Sequence, residues 1–186
     1  MSILEILLIA VGLSMDAFAV SITLGLSLDK PKIMHYLTPG IYFGFFQALM
    51  PFIGYFTGTY FADKIQNLDH FVAFALLGII GGKMIKESFS KEETKETGNS
   101  MRFTKMLGLA TATSIDALAV GITFAFFQID IFRAVVIIGT TTFLISIGGV
   151  KIGNIFGLRF KSKAELLGGS ILVLLGIKIL IEHLFF

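Results

Sequence analysis

Two aspartates stand in the middle of apolar segments that repeat each other. Residues 10–23 read AVGLSMDAFAVSIT and residues 110–123 read ATATSIDALAVGIT. Eight of the fourteen positions are identical, among them Ser14/Ser114, Asp16/Asp116, Ala17/Ala117 and Thr23/Thr123. An aspartate at the centre of a membrane-length helix costs about 2.5–3.5 kcal/mol on insertion scales. A cost carried twice marks Asp16 and Asp116 as candidate functional groups. Two carboxylates in a low-dielectric site repel each other, and a divalent cation neutralises both. Carboxylate, hydroxyl and amide oxygens suit hard cations such as Mg²⁺, Ca²⁺ or Mn²⁺. The further oxygens are those of Ser14 and Ser114, Gln47, Asn154, and Ser146, which matches Gln47 by repeat position. Met15 is either a soft thioether contact or a packing residue. The bland reading of the aspartates is a structural hydrogen bond to Ser, Thr or Lys, preserved in both copies.

Helical spacing puts Gly12, Asp16, Ala19 and Thr23 on one face, and Ala112, Asp116, Ala119 and Thr123 on its counterpart. Small neighbours let a partner helix approach each carboxylate. The two aspartate helices are expected to cross near the membrane midplane.

The elements that position these groups follow from composition. The 186 residues are 55% hydrophobic and only 15% charged, against about 25% charged in a soluble domain. This is an integral membrane protein. Apolar runs able to cross about 30 Å of hydrocarbon fall at roughly 4–24, 36–58, 70–88, 106–127, 133–157 and 166–185. Their length predicts helices and excludes barrel strands. The first run lacks a basic leader and holds Glu5 and Asp16, so it reads as a retained span. The absence of cysteine excludes disulfides and thiolate metal sites. A net charge of +2 is too small to argue for a nucleic-acid partner.

The repeat extends past the aspartate segments. Gly40, Gly54 and Gly58 match Gly139, Gly153 and Gly157, and Gly81, Lys83 and Glu87 match Gly176, Lys178 and Glu182. The expected fold is therefore all-α, with six transmembrane helices in two inverted three-helix repeats, residues 1–89 and 105–186, joined by a charged linker at 90–104. Three spans per unit is an odd number, so the second unit enters the membrane from the opposite side. Loops 1, 3 and 5 with their flanks carry ten basic residues, including Lys30, Lys32, Lys86, Lys105 and Arg159, against Lys64 and Arg133 on the other side. That asymmetry puts those loops in the cytoplasm and both termini outside.

The remaining signals have two readings each. Gly54-x-x-x-Gly58 and Gly153-x-x-x-Gly157 are packing seams within the chain or a homodimer face, so the chain is a monomer or a homodimer. Pro51 opens its helix near Gln47 or is a kink that neighbours relieve. Lys83 with Glu87 and Lys178 with Glu182 have ion-pair spacing, or serve in gating. Lys151 has no evident partner, and His35, His70 and His183 fall near span ends.

SMDAFAVSI, GFFQALMPFIG, GGKMI and TSIDALAVG together resemble the MntP manganese efflux pump family, within the LysE-type exporters, over essentially the whole chain. The resemblance implies six helices, a bacterial inner-membrane location, export of Mn²⁺ as substrate with no resident cofactor, and roles for Asp16 and Asp116. Some members carry an acid at the position of Gln47, and a neutral amide leaves fewer fixed charges there. No G-x-x-x-x-G-K-[ST] motif is present, so inward proton movement on the same carboxylates is the expected drive. Two competing functions stand beside Mn²⁺ export. One is export of an amino acid or other small cation, with a carboxylate facing an ammonium group. The other is an accessory membrane protein of the sporulation type. An intramembrane enzyme has only the carboxylate pair in its favour, without a nucleophile.

Overall fold

The computed structural model describes residues 1–26, 28, 31–65 and 103–156, with isolated positions between 74 and 89 and between 166 and 181. The described residues form five helices: α1 (Ile3–Leu26), α2 (Ile33–Ile65), α3 (Phe103–Ala112), α4 (Ile115–Phe126) and α5 (Ile131–Phe156). The helices α1, α2 and α5 are long and apolar enough to cross a membrane. The pair α3 and α4 passes the same test together, across a 43° bend. The 24 residues of α1 rise about 36 Å, more than the hydrocarbon thickness. Of the third and sixth predicted spans only those isolated positions are described, and Lys83, Glu87, Lys178, Glu182, His70, His183 and most of the charged linker lie outside the described residues.

The ends are set by local chemistry. Ser2 and Glu5 form a reciprocal capping box on α1: the Glu5 N–H donates to Ser2 Oγ at 3.3 Å and the Ser2 N–H to Glu5 Oε2 at 2.8 Å. Asp130 caps α5, accepting from the N–H groups of Phe132 and Arg133 at 3.1 and 3.3 Å. His35 stands at the start of α2, where its Nδ1 accepts from the Lys32 N–H at 3.1 Å. The turn from α4 to α5 is a Schellman motif. In it the Ile129 N–H donates to the Phe124 carbonyl, and the Gln128 N–H to Ala125, with Gln128 left-handed at φ 50°.

At the centre, α2 and α5 cross antiparallel through their glycines. A Cβ on Gly40 would lie 3.0 Å from Phe143 Cδ2 and 3.1 Å from Ile147 Cγ1; one on Gly139 would lie 3.1 Å from the Gly44 oxygen and 3.0 Å from Ala48 Cβ. A displacement of 99 positions takes Gly40 to Gly139, Gly44 to Phe143 and Ala48 to Ile147. The contacts on the two sides of the crossing are thus the same contacts, residue for residue.

The aspartate helices flank this crossing. Gly153 and Gly149 of α5 seat on Ile22 and Phe18 of α1, so α1 and α5 run parallel. Gly54 and Gly58 of α2 seat on Leu118 and Ile122, so α2 and α4 run parallel. With α2 and α5 antiparallel, α1 and α4 run in opposite senses. A side-chain carbon on Gly54 or Gly153 would overlap the carbonyl oxygen of Leu118 or Ile22. These are packing seams within the chain. The helix α2 continues through Pro51, which packs its backbone against Gly121, where a Cβ would overlap it.

Apolar packing closes the assembly. Ile9, Leu13, Val120, Phe124 and Ile138 join α1, α4 and α5. Ala17, Leu24, Phe43, Met106 and Ala110 join α1, α2 and α3. Met15 belongs to the first of these clusters, so its thioether packs. Ile41, Phe45, Val136 and Leu144 are exposed, as a lipid-facing surface requires.

Candidate functional site

Asp16 lies mid-helix in α1 and is half-buried; Asp116 is half-buried in the first turn of α4. A helix N-terminus favours a carboxylate, because its amides and dipole point positive charge at it. Asp116 Oδ1 accepts from the Ala117 N–H at 2.8 Å. Each aspartate faces away from the glycine seam of its own helix: Phe18, Ser21, Ile22 and Gly25 carry the seam in α1, and Leu118, Gly121, Ile122 and Ala125 in α4. Thr23 and Thr123, on the aspartate faces, donate to Ala19 and Ala119 carbonyls at the same 3.2 Å. Their hydroxyls keep acceptor lone pairs.

Gln47 is fully buried in α2. Its Nε2 donates to the Leu13 carbonyl at 3.1 Å, three residues before Asp16. That bond fixes the sense of the amide, because a carbonyl oxygen only accepts and the amide donates only through its nitrogen. It leaves Gln47 Oε1 buried with no donor among the described residues. Ser146, at the matched position in α5, is also fully buried, and its Oγ has no partner among the described residues. Buried polar atoms are paired in most proteins. Two orphaned oxygens at repeat-matched positions, both on the central helices, need an explanation.

Ser14 and Ser114 are both buried, and both donate to the carbonyl four residues back, Ala10 and Ala110. Beyond that they differ. Ser14 Oγ lies 2.8 Å from Thr142 Oγ1 of α5. Its single proton is directed to Ala10, so Thr142 donates to Ser14. Ser114 has no such bond across helices among the described residues, because the position matching Thr142 is Phe43. Asn154 stands apart from the aspartates. Its Nδ2 donates to the carbonyls of Gly25 and Leu28 at 3.3 and 2.6 Å, closing the C-terminal end of α1. From Asp16 to Gly25 the helix rises about 14 Å. Lys151 is exposed on α5.

The sequence pattern pointed to Gln47, Ser14 and Ser146 but not to Thr142 or Ser21. Ser21 is buried on the α1 seam beside Gly149, and its Oγ also lacks a partner among the described residues. Thr142 was legible as a hydroxyl one turn before Ser146. Ser21 gave no signal, because its repeat partner is Gly121. Among the described residues no group of three or more His, Asp or Glu comes together. Among the described residues, neutral oxygens are the further ligands available to a cation site that the two aspartates would form.

The family model described as "Putative manganese efflux pump" matches residues 30–180. A protein of Acetivibrio thermocellus named for the same activity is 53% identical over 184 residues, covering 99% of this chain and 93% of its own length. The Desulfitobacterium hafniense relative is 56% identical over 183 residues, covering 98% and 96%. The Campylobacter jejuni relative is 54% identical over 186 residues, covering both chains completely. No solved structure matches the chain. On this full-length similarity, the chain belongs to the MntP manganese efflux pump family.

Proposed function

We propose that this protein exports Mn²⁺ from the cytoplasm as a secondary transporter, with Asp16, Asp116 and the Gln47 amide oxygen as ligands near the membrane midplane. The observation that carries this reading is the Gln47 side chain. Its nitrogen is committed to α1 close to Asp16, and its oxygen is buried without a donor. A cation is the partner that such an acceptor lacks. Carboxylate and amide oxygens are the donor types that Mn²⁺ accepts, and the relatives' names agree with that choice. The ion is cargo. Ser14 and Ser114, tied to their own helices, shape the backbone beside each aspartate, and Asn154 holds the end of α1.

The architecture we propose has six spans in two inverted repeats, 1–89 and 105–186, with both termini outside the bacterial inner membrane. The opposite senses of α1 and α4 and the matched crossing of α2 with α5 support it, as does the excess of basic residues in loops 1, 3 and 5. Inward proton flow on the vacated carboxylates is the proposed drive.

The test is ⁵⁴Mn²⁺ flux in proteoliposomes, with and without a pH gradient. Wild-type flux is expected, accelerated by the gradient, and Asp16→Asn and Asp116→Asn are each expected to abolish it while inserting normally. Full flux in both variants overturns the ligand assignment. Flux indifferent to the gradient overturns proton coupling alone.

A further inference from the structure

The crossing of α2 with α5 obeys the 99-residue displacement, but the seating of the aspartate helices against it does not. Gly153 of α5 seats on Ile22, and Val150 on Gly25. In the other half, Gly54 seats on Leu118, and Pro51 on Gly121. Gly54 and Pro51 match Gly153 and Val150, and Leu118 and Gly121 match Phe18 and Ser21. If the halves were alike, Gly153 would face Phe18 and Val150 would face Ser21. Each contact is instead displaced by four residues, one helical turn, and in the same direction.

Ser146 gives this displacement a chemical meaning. It follows Thr142 by one turn on the face of α5 that Gly149 and Gly153 continue against α1. Thr142 holds Ser14, while Ser146 is fully buried and unpartnered. If α1 took the register that α4 has on α2, Ser14 would leave Thr142 and meet Ser146.

We infer that the translocation step is a one-turn ratchet of α1 and α4 along a static α2–α5 pair, with Ser14 exchanging Thr142 for Ser146. The inference rests on the transporter reading and specifies its motion. Moving Ser14 from Thr142 to Ser146 carries α1 toward its own C-terminus, since α1 and α5 are parallel. Exchanging registers brings Ile122 opposite Gly54 and carries α4 toward its own N-terminus. Because α1 and α4 run in opposite senses, both aspartates move the same way, by about one pitch of 5.4 Å, toward the loop 1 side. Two polar contacts have a replacement of their own kind, hydroxyl for hydroxyl at Ser14 and, for Gln47, the Ile9 carbonyl in place of Leu13; the Asn154 bonds to Gly25 and Leu28 are released. Gly54 and Gly153 again meet backbone, whereas Ser21 and Ala125 replace Gly25 and Gly121 against Val150 and Pro51, so the helices part slightly there. The replacements at Ser14 and Gln47 offset part of the cost of the shifted register, as a two-state switch needs.

The chain has no cysteine, so disulfide trapping in the full-length protein in vesicles reads the slide directly. Ser14→Cys is paired in turn with Thr142→Cys, Ser146→Cys and Ile138→Cys; the last lies one turn the other way on the same face. The pair with Thr142→Cys is expected to cross-link first. Addition of Mn²⁺ on the loop 1 side is expected to raise the yield with Ser146→Cys at least threefold and lower that with Thr142→Cys. Gly40→Cys with Ile147→Cys, across the static crossing, is expected to cross-link equally with and without Mn²⁺. A yield with Ser146→Cys that never exceeds that with Ile138→Cys overturns the ratchet. Should a cysteine pair fail to fold, Thr142→Ala and Ser146→Ala decide the same point. One hydrogen bond lost from one state shifts the populations about fivefold. Thr142→Ala is then expected to lower the KM for Mn²⁺ from the loop 1 side and Ser146→Ala to raise it. Shifts of the same sign overturn the inference, because a merely structural role moves both alike. Absence of wild-type flux sinks the export reading alone, and the cross-link ratio in those vesicles still decides the slide.

Discussion

The two aspartate segments share their sequence but not their backbone. In the first half, α1 is one continuous helix through Ser14 and Asp16. In the second, the chain breaks at Thr113 and Ser114, and Asp116 falls in the first turn of a new helix. The cause is local. Thr113 and Ser114 both direct their hydroxyls to the Ala110 carbonyl, at 3.3 and 2.7 Å. That carbonyl belongs to the Ser114 N–H in an α-helix, and the Ser114 N–H turns to Thr111 at 3.2 Å instead. The first half has Leu13 at the matched position, so only Ser14 competes there, and Thr142 and Gln47 hold that stretch from outside. One hydroxyl more and two tethers fewer turn the same motif from a continuous helix into a broken one.

The comparison can be broken most severely at its shared part. Gly54→Val and Gly153→Val each drive a side chain into a carbonyl oxygen of the facing helix. Each is expected to cost about 3 kcal/mol, read as loss of folded protein in a thermal-shift assay on detergent-solubilised samples. Gly148→Ala, with open space at its Cβ, is expected to change nothing measurable. If the two valine variants differed widely, the seams would not be equivalent.

Gln47→Leu tests the tether and the ligand together. Losing one neutral hydrogen bond costs about 1 kcal/mol of stability. Mn²⁺ flux is expected to fall by more than that, about tenfold or beyond, whereas a purely structural Gln47 loses flux only in proportion to folded protein.

Thr113→Val removes the extra hydroxyl at constant shape. It is expected to restore the helix ladder at Ser114, with slower amide exchange there and a stability gain of about 0.5–1 kcal/mol. Unchanged exchange at Ser114 and Ile115 would place the cause of the break outside Thr113. The smallest effect belongs to Gln128, left-handed at φ 50°. Gln128→Gly relieves that conformation and is expected to stabilise by about 0.5 kcal/mol, net of the glycine entropy cost, without altering flux.

Composition and periodicity determined a great deal. Runs of apolar residues longer than the bilayer admit helices as the only spanning structure, since unpaired backbone groups cannot be hydrated there. That reasoning located α1, α2 and α5 to within a few residues, apart from the C-terminal extension of α2. The duplicated motif singled out Asp16 and Asp116 as candidates, because a charge in an apolar run carries a cost that composition reveals. The glycine matches anticipated the seams, because a missing Cβ is visible in sequence.

Tertiary structure alone decided the rest. The continuity of α1 past Ser14 draws on Thr142 and Gln47, tethers from other helices that the matched stretch before Asp116 lacks among the described residues. Pro51, the evident breaker in the sequence, is accommodated by Gly121 on another helix. Asn154, an oxygen donor by type, closes the end of α1 because the register of α5 places it there. The one-turn offset between the halves has a trace in the sequence, since Gly25 and Gly121, which admit Val150 and Pro51, are matched by Ala125 and Ser21, but only the packed state shows which backbone each glycine meets. Residue type fixes what each group can do; the register of one helix on another fixes which groups meet.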